Sequence, residues 1–281
     1  MTPAPDRSEP MPQCAFERLN DGTGGRASPR YRATALTRGP WDPAHQHAGP
    51  PIALVAGAIE RAAAAMAFTH LARLTANLLR PIPIGELAFE VRTEYAGRSV
   101  AHFAATLEAD GKEVARFTAV AQREQPVPIP EGTLGHPLPQ APMRVADAPE
   151  VRLPIVTDRV GYPELVQTRV AEGRPFRSPS AVWFRLRQPL VAGEAPLPVE
   201  RVAVAADSGN GISAVLDFRQ YVFVNSDLTI NLLRVPRGEW ICVDARTLLG
   251  STGGGIAESR LFDEDGLVGR ATQSLAVRAR A

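Results

Sequence analysis

The feature that most restricts what this chain can fold into is an internal repeat. Leu74 to Arg80 reads LTANLLR, and Leu228 to Arg234 reads LTINLLR. The match continues downstream in the same order. Gly85-Glu86-Leu87 answers Gly238-Glu239-Trp240, Arg92-Thr93 answers Arg246-Thr247, Asp110-Gly111 answers Asp265-Gly266, and Val114-Ala115-Arg116 answers Val268-Gly269-Arg270. A register held over that length implies two copies of one supersecondary unit in a single polypeptide. Between Gln125 and Ile155 there are eight prolines, a density that excludes a regular helix and a central strand. This stretch reads as a linker. The expected organisation is a flexible N-terminal tail over 1–26, a first unit over 27–124, a proline-rich linker over 125–155 and a second unit over 156–281.

Within the first unit, Gly49-Pro50-Pro51 precedes apolar residues at Ile52, Val55, Ile59, Ala62 and Met66, the spacing of one helix face. Proline is favoured in a first turn, so the helix is expected to begin near Pro50 or Pro51 and to run to about Phe68. Its remaining faces carry Ala53, Ala56, Gly57, Ala63 and Ala64, small enough for a curved sheet to wrap closely. After it, Leu87, Phe89 and Val91 alternate with polar or small residues, and Val114, Thr118 and Val120 alternate with Ala115 and Ala119, the period of strands. Asp110-Gly111 suits a hairpin turn, repeated at Asp265-Gly266. In the second unit a strand is expected over Ala181 to Leu186 and a helix over about Val199 to Ser213. Asp207-Ser208-Gly209-Asn210-Gly211 should end that helix early, because glycine and asparagine favour a left-handed cap.

Composition narrows the function classes. The chain has 281 residues, 44% hydrophobic, with 31 basic against 30 acidic side chains, a balance that suggests neither a nucleic-acid face nor an anionic membrane surface as partner. Cys14 and Cys242 are too few for a zinc cluster or a disulfide framework, so no metal site is expected and a reducing, cytoplasmic setting fits. Met1 to Gln13 carries four prolines and no apolar core, unlike a signal peptide, and Ile52 to Ile59 is too short to cross a bilayer.

The segment Trp41 to Arg61, WDPAHQHAGPPIALVAGAIER, resembles the N-terminal signature of the TesB-like acyl-CoA thioesterase superfamily, in which a glycine-containing loop leads into the first central helix. The similarity runs from about Ala27 onward. It implies an α+β double hotdog, two tandem units of a helix wrapped by antiparallel sheet, packed as one pseudo-dimer. It also implies acyl-CoA as substrate, hydrolysed to free acid and CoA by an activated water, with no covalent intermediate and no cofactor. The family's aspartate, threonine or serine, and glutamine lie in the second unit. By position they fall on Asp227, Thr247 and Gln273, with Thr252 as the alternative threonine. The oxyanion donors would be backbone N–H groups of Ala48 or Gly49 where the first helix begins, with His47 beside the substrate. The repeat bears on this set: the first unit has Arg73 in place of Asp227 and Ala119 in place of Gln273, which favours one site per chain, whereas Thr93 matches Thr247.

Two other readings stand beside hydrolysis. Asp42-Pro43-Ala44-His45 is similar to the Asp and His of hotdog enoyl-CoA hydratases but lacks the Gly-Asp and Asn-Pro context of that motif. A non-catalytic acyl-CoA binder would keep the fold without the chemistry. Arg80, Arg234 and Arg237 are candidates to meet the phosphates of CoA. Gly253-Gly254-Gly255 is followed by no Lys-Ser or Lys-Thr and reads as a bulge or turn. A fused pair already supplies the partner that a hotdog unit needs, and further homo-oligomerisation is left open.

Overall fold

The repeat is visible as symmetry within one sheet. The computed structural model describes residues 11–19, 29–133, 137–156 and 158–280. The first unit contains β1 (Phe16–Leu19), β2 (Arg30–Ala33), α1 (Gly49–Ala64), β3 (His70–Leu78), β4 (Glu86–Ala96), β5 (Val100–Ala109) and β6 (Lys112–Gln122). The second contains β7 (Glu150–Val151), α2 (Tyr162–Leu165), β8 (Val166–Arg174), β9 (Arg177–Leu186), α3 (Pro198–Ala206) and α4 (Gly209–Ile212). It continues with β10 (Tyr221–Asn225), β11 (Asp227–Leu232), β12 (Ile241–Leu249), β13 (Gly254–Asp263) and β14 (Gly266–Ala279). The strand order is β1-β2-β4-β5-β6-β3-β11-β14-β13-β12-β9-β8-β7, with β10 pairing beside β11 on β14. From the β3–β11 seam outward the two halves read alike, β6-β5-β4-β2-β1 on one side and β14-β13-β12-β9-β8 on the other. This is the double hotdog.

The seam joins the two near-identical heptapeptides to each other. Thr75 pairs with Thr229 and Leu74 with Ile230, while Ala76 pairs with Leu228, so a pseudo-two-fold axis passes between the two threonines, whose hydroxyls lie 3.2 Å apart. An antiparallel pair of equivalent strands has this symmetry by construction.

Helix α1 starts at Gly49 with prolines in its first turn and no side chain capping it. It ends at Ala64, earlier than the apolar spacing predicts. Ala67 adopts a left-handed φ of 62°, and the N–H groups of Ala67 and Phe68 return to the carbonyls of Ala64 and Ala63, which folds Phe68 back into the core. Small residues do the wrapping. In β6 the face turned inward is Ala115, Phe117, Ala119 and Ala121, with Thr118 exposed. A Cβ at Gly57 would come within 1.8 Å of Glu200 Oε1, so glycine there permits the close approach of α1 and α3. Asp110 and Gly111 take φ of 50° and 68° in the first hairpin, whereas in the second the turn falls on Glu264-Asp265 and Gly266 follows at φ 118°.

Three expectations need correction. The second central helix does break at Asp207-Ser208, but not through a left-handed cap: Asp207 and Ser208 are both right-handed, and Gly209-Asn210-Gly211 continues as α4. Glycine at 209 is needed for proximity instead, since a Cβ there would lie 2.7 Å from Ser259 Oγ and 3.2 Å from Gln273 Oε1. The segment assigned to a flexible tail contains β1, where Phe16 is fully buried and the N–H groups of Ala15 and Phe16 donate to Pro189 and Leu190; residues 1–10 and 20–28 lie outside the described residues. The later part of the linker also packs: Val145 and Ala148 join Trp183, Trp240 and Phe262 in a small outer core, Trp183 Nε1 donates to Met143 O at 2.9 Å, and β7 pairs with β8. Apolar side chains in both stretches find a face to cover that their proline content did not advertise.

Candidate active site

A cavity of about 360 Å³ opens where the start of α1 meets the α3–α4 break. Its wall includes His47, Ala48, Asp207, Ser208, Asn210 and Asn225. Leu78, Leu79 and Ile82 from the first unit and Ile155, Phe176 and Phe218 from the second make it apolar over most of its surface. This combination, an apolar concavity with a few converging polar groups, is the usual form of a small-molecule site.

The polar groups converge on one carboxylate. Asp207 is buried, and its Oδ2 lies 2.9 Å from His47 Nδ1. Its Oδ1 accepts from Asn225 Nδ2 at 2.9 Å and from Gln273 Nε2 at 3.4 Å. Gln273 is fixed in turn: its Nε2 donates to Asp207 O at 3.2 Å and its Oε1 accepts from the Asn210 N–H at 2.9 Å. The break in the helix is what makes this possible. An uninterrupted helix would commit the Asn210 N–H to a carbonyl one turn back, whereas here it reaches the β14 side chain. Asn210 Nδ2 donates to Phe223 O, and Asn210 Oδ1 is a buried acceptor without a partner among the described residues, as is Gln46 Oε1 elsewhere on the cavity wall.

The tautomer of His47 follows from this geometry. Its Nδ1 is also 3.2 Å from the Gly49 N–H, but one nitrogen cannot both donate and accept. A carboxylate oxygen at 2.9 Å requires the proton between them, so Nδ1–H donates to Asp207, and in the neutral tautomer this selects Nε2 is the acceptor. The ring stacks on Tyr162 with centroids 3.9 Å apart. Tyr162 donates to Val204 O at 2.9 Å and lies 2.9 Å from Ser208 Oγ. Complete burial pushes its phenol well above the ordinary tyrosine value, so it stays protonated and is no base for Ser208.

The residues expected from sequence are distributed as follows. Gln273, His47, Ala48 and Gly49 lie together around the Asp207 carboxylate and the start of α1. Ala48 lines the cavity and its N–H has no acceptor among the described residues. Asp227 is elsewhere: its Oδ1 accepts from the Ser274 N–H at 2.6 Å, and it is not part of the cavity wall. Thr247 is buried against Ser213, with hydroxyls 2.7 Å apart, and Ser213 holds Gly209 O, so Thr247 braces α4 without touching the carboxylate. Thr252 is exposed in the β12–β13 turn. Asp42 and His45 are 3.8 Å apart on the cavity rim, with the Asp42 carboxylate accepting from the Ala44 N–H.

Two members were missed. In the sequence Asp207 reads only as part of a helix stop, and Asn225 does not stand out. The repeat held a signal for Asn225, because the register that aligns Arg73 with Asp227 aligns Leu71 with Asn225, an apolar residue against an amide. Among the described residues no cluster of three metal-ligating side chains occurs, both cysteines are buried and unpaired, and no helix is long and apolar enough to cross a membrane.

Residues 37–122 match the acyl-CoA thioesterase N-terminal domain, and residues 137–277 match the acyl-CoA thioesterase C-terminal domain. The chain belongs to the acyl-CoA thioesterase family, within the TesB-like superfamily. Solved structures agree on the fold. A protein of Thermobifida fusca provisionally named thioesterase II superposes with a TM-score of 0.68 at 20% identity, covering 94% of this chain and 96% of that one. A hot dog fold protein of unknown function from Alicyclobacillus acidocaldarius gives 0.67 at 18% identity, with 94% and 96% covered. The acyl-CoA thioesterase II TesB2 of Mycobacterium marinum gives 0.61 at 19% identity, with 90% and 94% covered. No functionally curated protein shows significant sequence similarity to the chain.

Proposed function

We propose that this thioesterase-family chain hydrolyses acyl-CoA thioesters to free acid and CoA, using one water held against Asp207. The observation that carries the reading is the buried Asp207 carboxylate, which meets three donors, from His47, Asn225 and Gln273, inside an apolar cavity. An ionised carboxylate offers about four acceptor sites, so three donors leave one for a water proton. Asp207 draws that proton as the water oxygen attacks the thioester carbonyl carbon. The C–S bond then breaks, and the proton passes to the departing CoA sulfur. His47 Nε2 and the unpartnered Asn210 Oδ1 are further acceptors able to align the water.

Negative charge develops on the carbonyl oxygen, and the uncapped start of α1 is the matching electrophile. The Ala48 N–H lacks an acceptor, and the Gly49 N–H is released once Nδ1 of His47 carries its proton. Both sit at the positive end of a sixteen-residue helix. Tyr162, kept protonated by its burial, does not serve as a base for Ser208.

The test is thiol release from a panel of acyl-CoAs of increasing chain length, by the wild type and by Asp207→Asn. Turnover of at least one substrate, abolished in the variant, is expected. A wild type that binds acyl-CoA and releases no thiol from any of them refutes hydrolysis.

A further inference from the structure

Beside the acyl cavity lies a second and larger one, about 860 Å³, whose wall carries Arg174, Arg177 and Arg219 against the single carboxylate of Asp217. The two cavities share Pro40, Ile155, Phe176 and Phe218. Arg174 and Arg177 face each other across the β8–β9 hairpin, and Arg219 lies on the loop after α4. That arrangement is pinned. Phe176, at a left-handed φ of 66°, donates its N–H to Ile212 O at 2.8 Å, and Ser178 donates to Ala214 O at 3.2 Å, tying the hairpin tip to the α4 loop.

These three guanidiniums differ from most others on the molecule. Arg30, Arg116, Arg234, Arg246 and Arg260 each meet a carboxylate, and Arg234 does so with both nitrogens on Asp263 at 2.6 and 2.5 Å. Arg237 is 3.5 Å from Asp265, and Arg80 donates to Glu113 O, so the arginines singled out from sequence for phosphate are engaged within the protein. Arg174, Arg177 and Arg219 have no side-chain partner among the described residues. Asp217 is occupied by the Arg219 N–H at 2.9 Å. Three unmatched guanidiniums lining one concavity form a phosphate-binding surface, since the planar fork of arginine matches phosphate oxygens two at a time.

Acyl-CoA carries a diphosphate and a 3′-phosphate at one end and its thioester at the other, joined by an uncharged pantetheine arm. We infer that the second cavity seats the CoA nucleotide on Arg174, Arg177 and Arg219. The arm then passes the shared wall of Pro40, Ile155, Phe176 and Phe218, which brings the thioester to Asp207. This rests on the acyl-CoA reading above.

The experiment compares wild type with the triple variant Arg174→Gln, Arg177→Gln, Arg219→Gln, all at exposed positions, and with the single reversal Arg177→Glu. Calorimetric titration with CoA, which needs no turnover, should show at least tenfold weaker binding to the triple variant and a shallower dependence of affinity on salt. In kinetics, the ratio of kcat/KM for an acyl-CoA to that for the same acyl group on N-acetylcysteamine, which has no phosphates, should fall at least tenfold. CoA affinity within twofold of wild type, or an unchanged ratio, overturns the inference. So does equal turnover of the acyl-4′-phosphopantetheine thioester and the acyl-CoA by wild type, because the nucleotide would then contribute nothing. Loss of CoA affinity in the triple variant of a protein that releases no thiol would instead leave the nucleotide seat standing and remove the hydrolytic reading.

Discussion

The two halves of this molecule share a sheet order and a helix position, yet they treat the centre of the hotdog in opposite ways. In the first half α1 runs unbroken for sixteen residues, and the β6 residue facing it is Ala119. In the second half the helix is interrupted at Asp207-Ser208, and the equivalent β14 residue is Gln273. The difference is an exchange of packing for polarity. The first half buries an apolar helix against small residues and contributes the uncapped helix start. The second gives up two residues of regular helix, and the amide groups this frees orient a carboxylate. A duplicated fold lets one copy carry stability while the other carries chemistry.

The largest expected effect tests which aspartate belongs to that chemistry. Asp207→Asn should lower kcat for acyl-CoA hydrolysis by about 10³-fold, the scale of losing a positioned base, while Asp227→Asn should stay within about threefold. Thiol-release kinetics on both variants read this directly, and the reverse order would return the site to the β11 strand start.

Next is the exchange at the equivalent pair. Gln273→Ala should reduce kcat by about 10- to 100-fold, through loss of its bonds to Asp207 and Asn210. The mirror change, Ala119→Gln, places an amide under an unbroken apolar helix and should cost about 1–3 kcal/mol of stability, seen as a lowered melting temperature. If Ala119→Gln is tolerated without a shift, the two helices are more alike than their hydrogen bonding indicates.

Gly209→Ala tests the break itself. The added methyl meets Ser259 Oγ and Gln273 Oε1, so the expected result is a destabilisation of about 1–2 kcal/mol together with a several-fold lower kcat, measured by thermal denaturation and steady-state kinetics. A stability loss without a kinetic one would mean that Gln273 can move without consequence.

The smallest effect on catalysis concerns the contact between the halves, where the change is one of stability alone. Burial between the helices pushes the Glu60 carboxyl up to about 7; the Val199 N–H draws it down and Glu200 adds to the rise. A folded value above the unfolded one means that the unfolded chain releases its proton first as pH rises. Stability from this group is therefore full below about pH 4.5 and is lost as pH rises to about 7. Glu60→Gln should flatten that part of the stability–pH curve and gain about 2 kcal/mol at pH 8 relative to wild type. Equal slopes in wild type and variant would show that the α1–α3 contact is not closed on that carboxylate.

The duplication, the helix start at Gly49-Pro50-Pro51 and the strand pairs were legible in the sequence, because repeat register, proline placement and period-two alternation are local or directly comparable properties. Gln273 was legible too, since its counterpart Ala119 offered an internal contrast. Asp207 was not. It sits in a run of glycine, serine and asparagine that looks like a helix stop, and nothing in that run says the backbone stays right-handed and aims a carboxylate inward. Asp227 carried the stronger local pattern, yet its side chain turns to a neighbouring backbone N–H across the sheet. The sequence by itself determined that the chain holds two equivalent units and that only one carries the polar set; that the matching heptapeptides pair at the seam was decided by the structure. The tertiary structure alone decided which residues form the polar centre. Asp207, His47, Asn225 and Gln273 come from four separate segments, and only their packing brings three donors within 3.4 Å of one buried carboxylate.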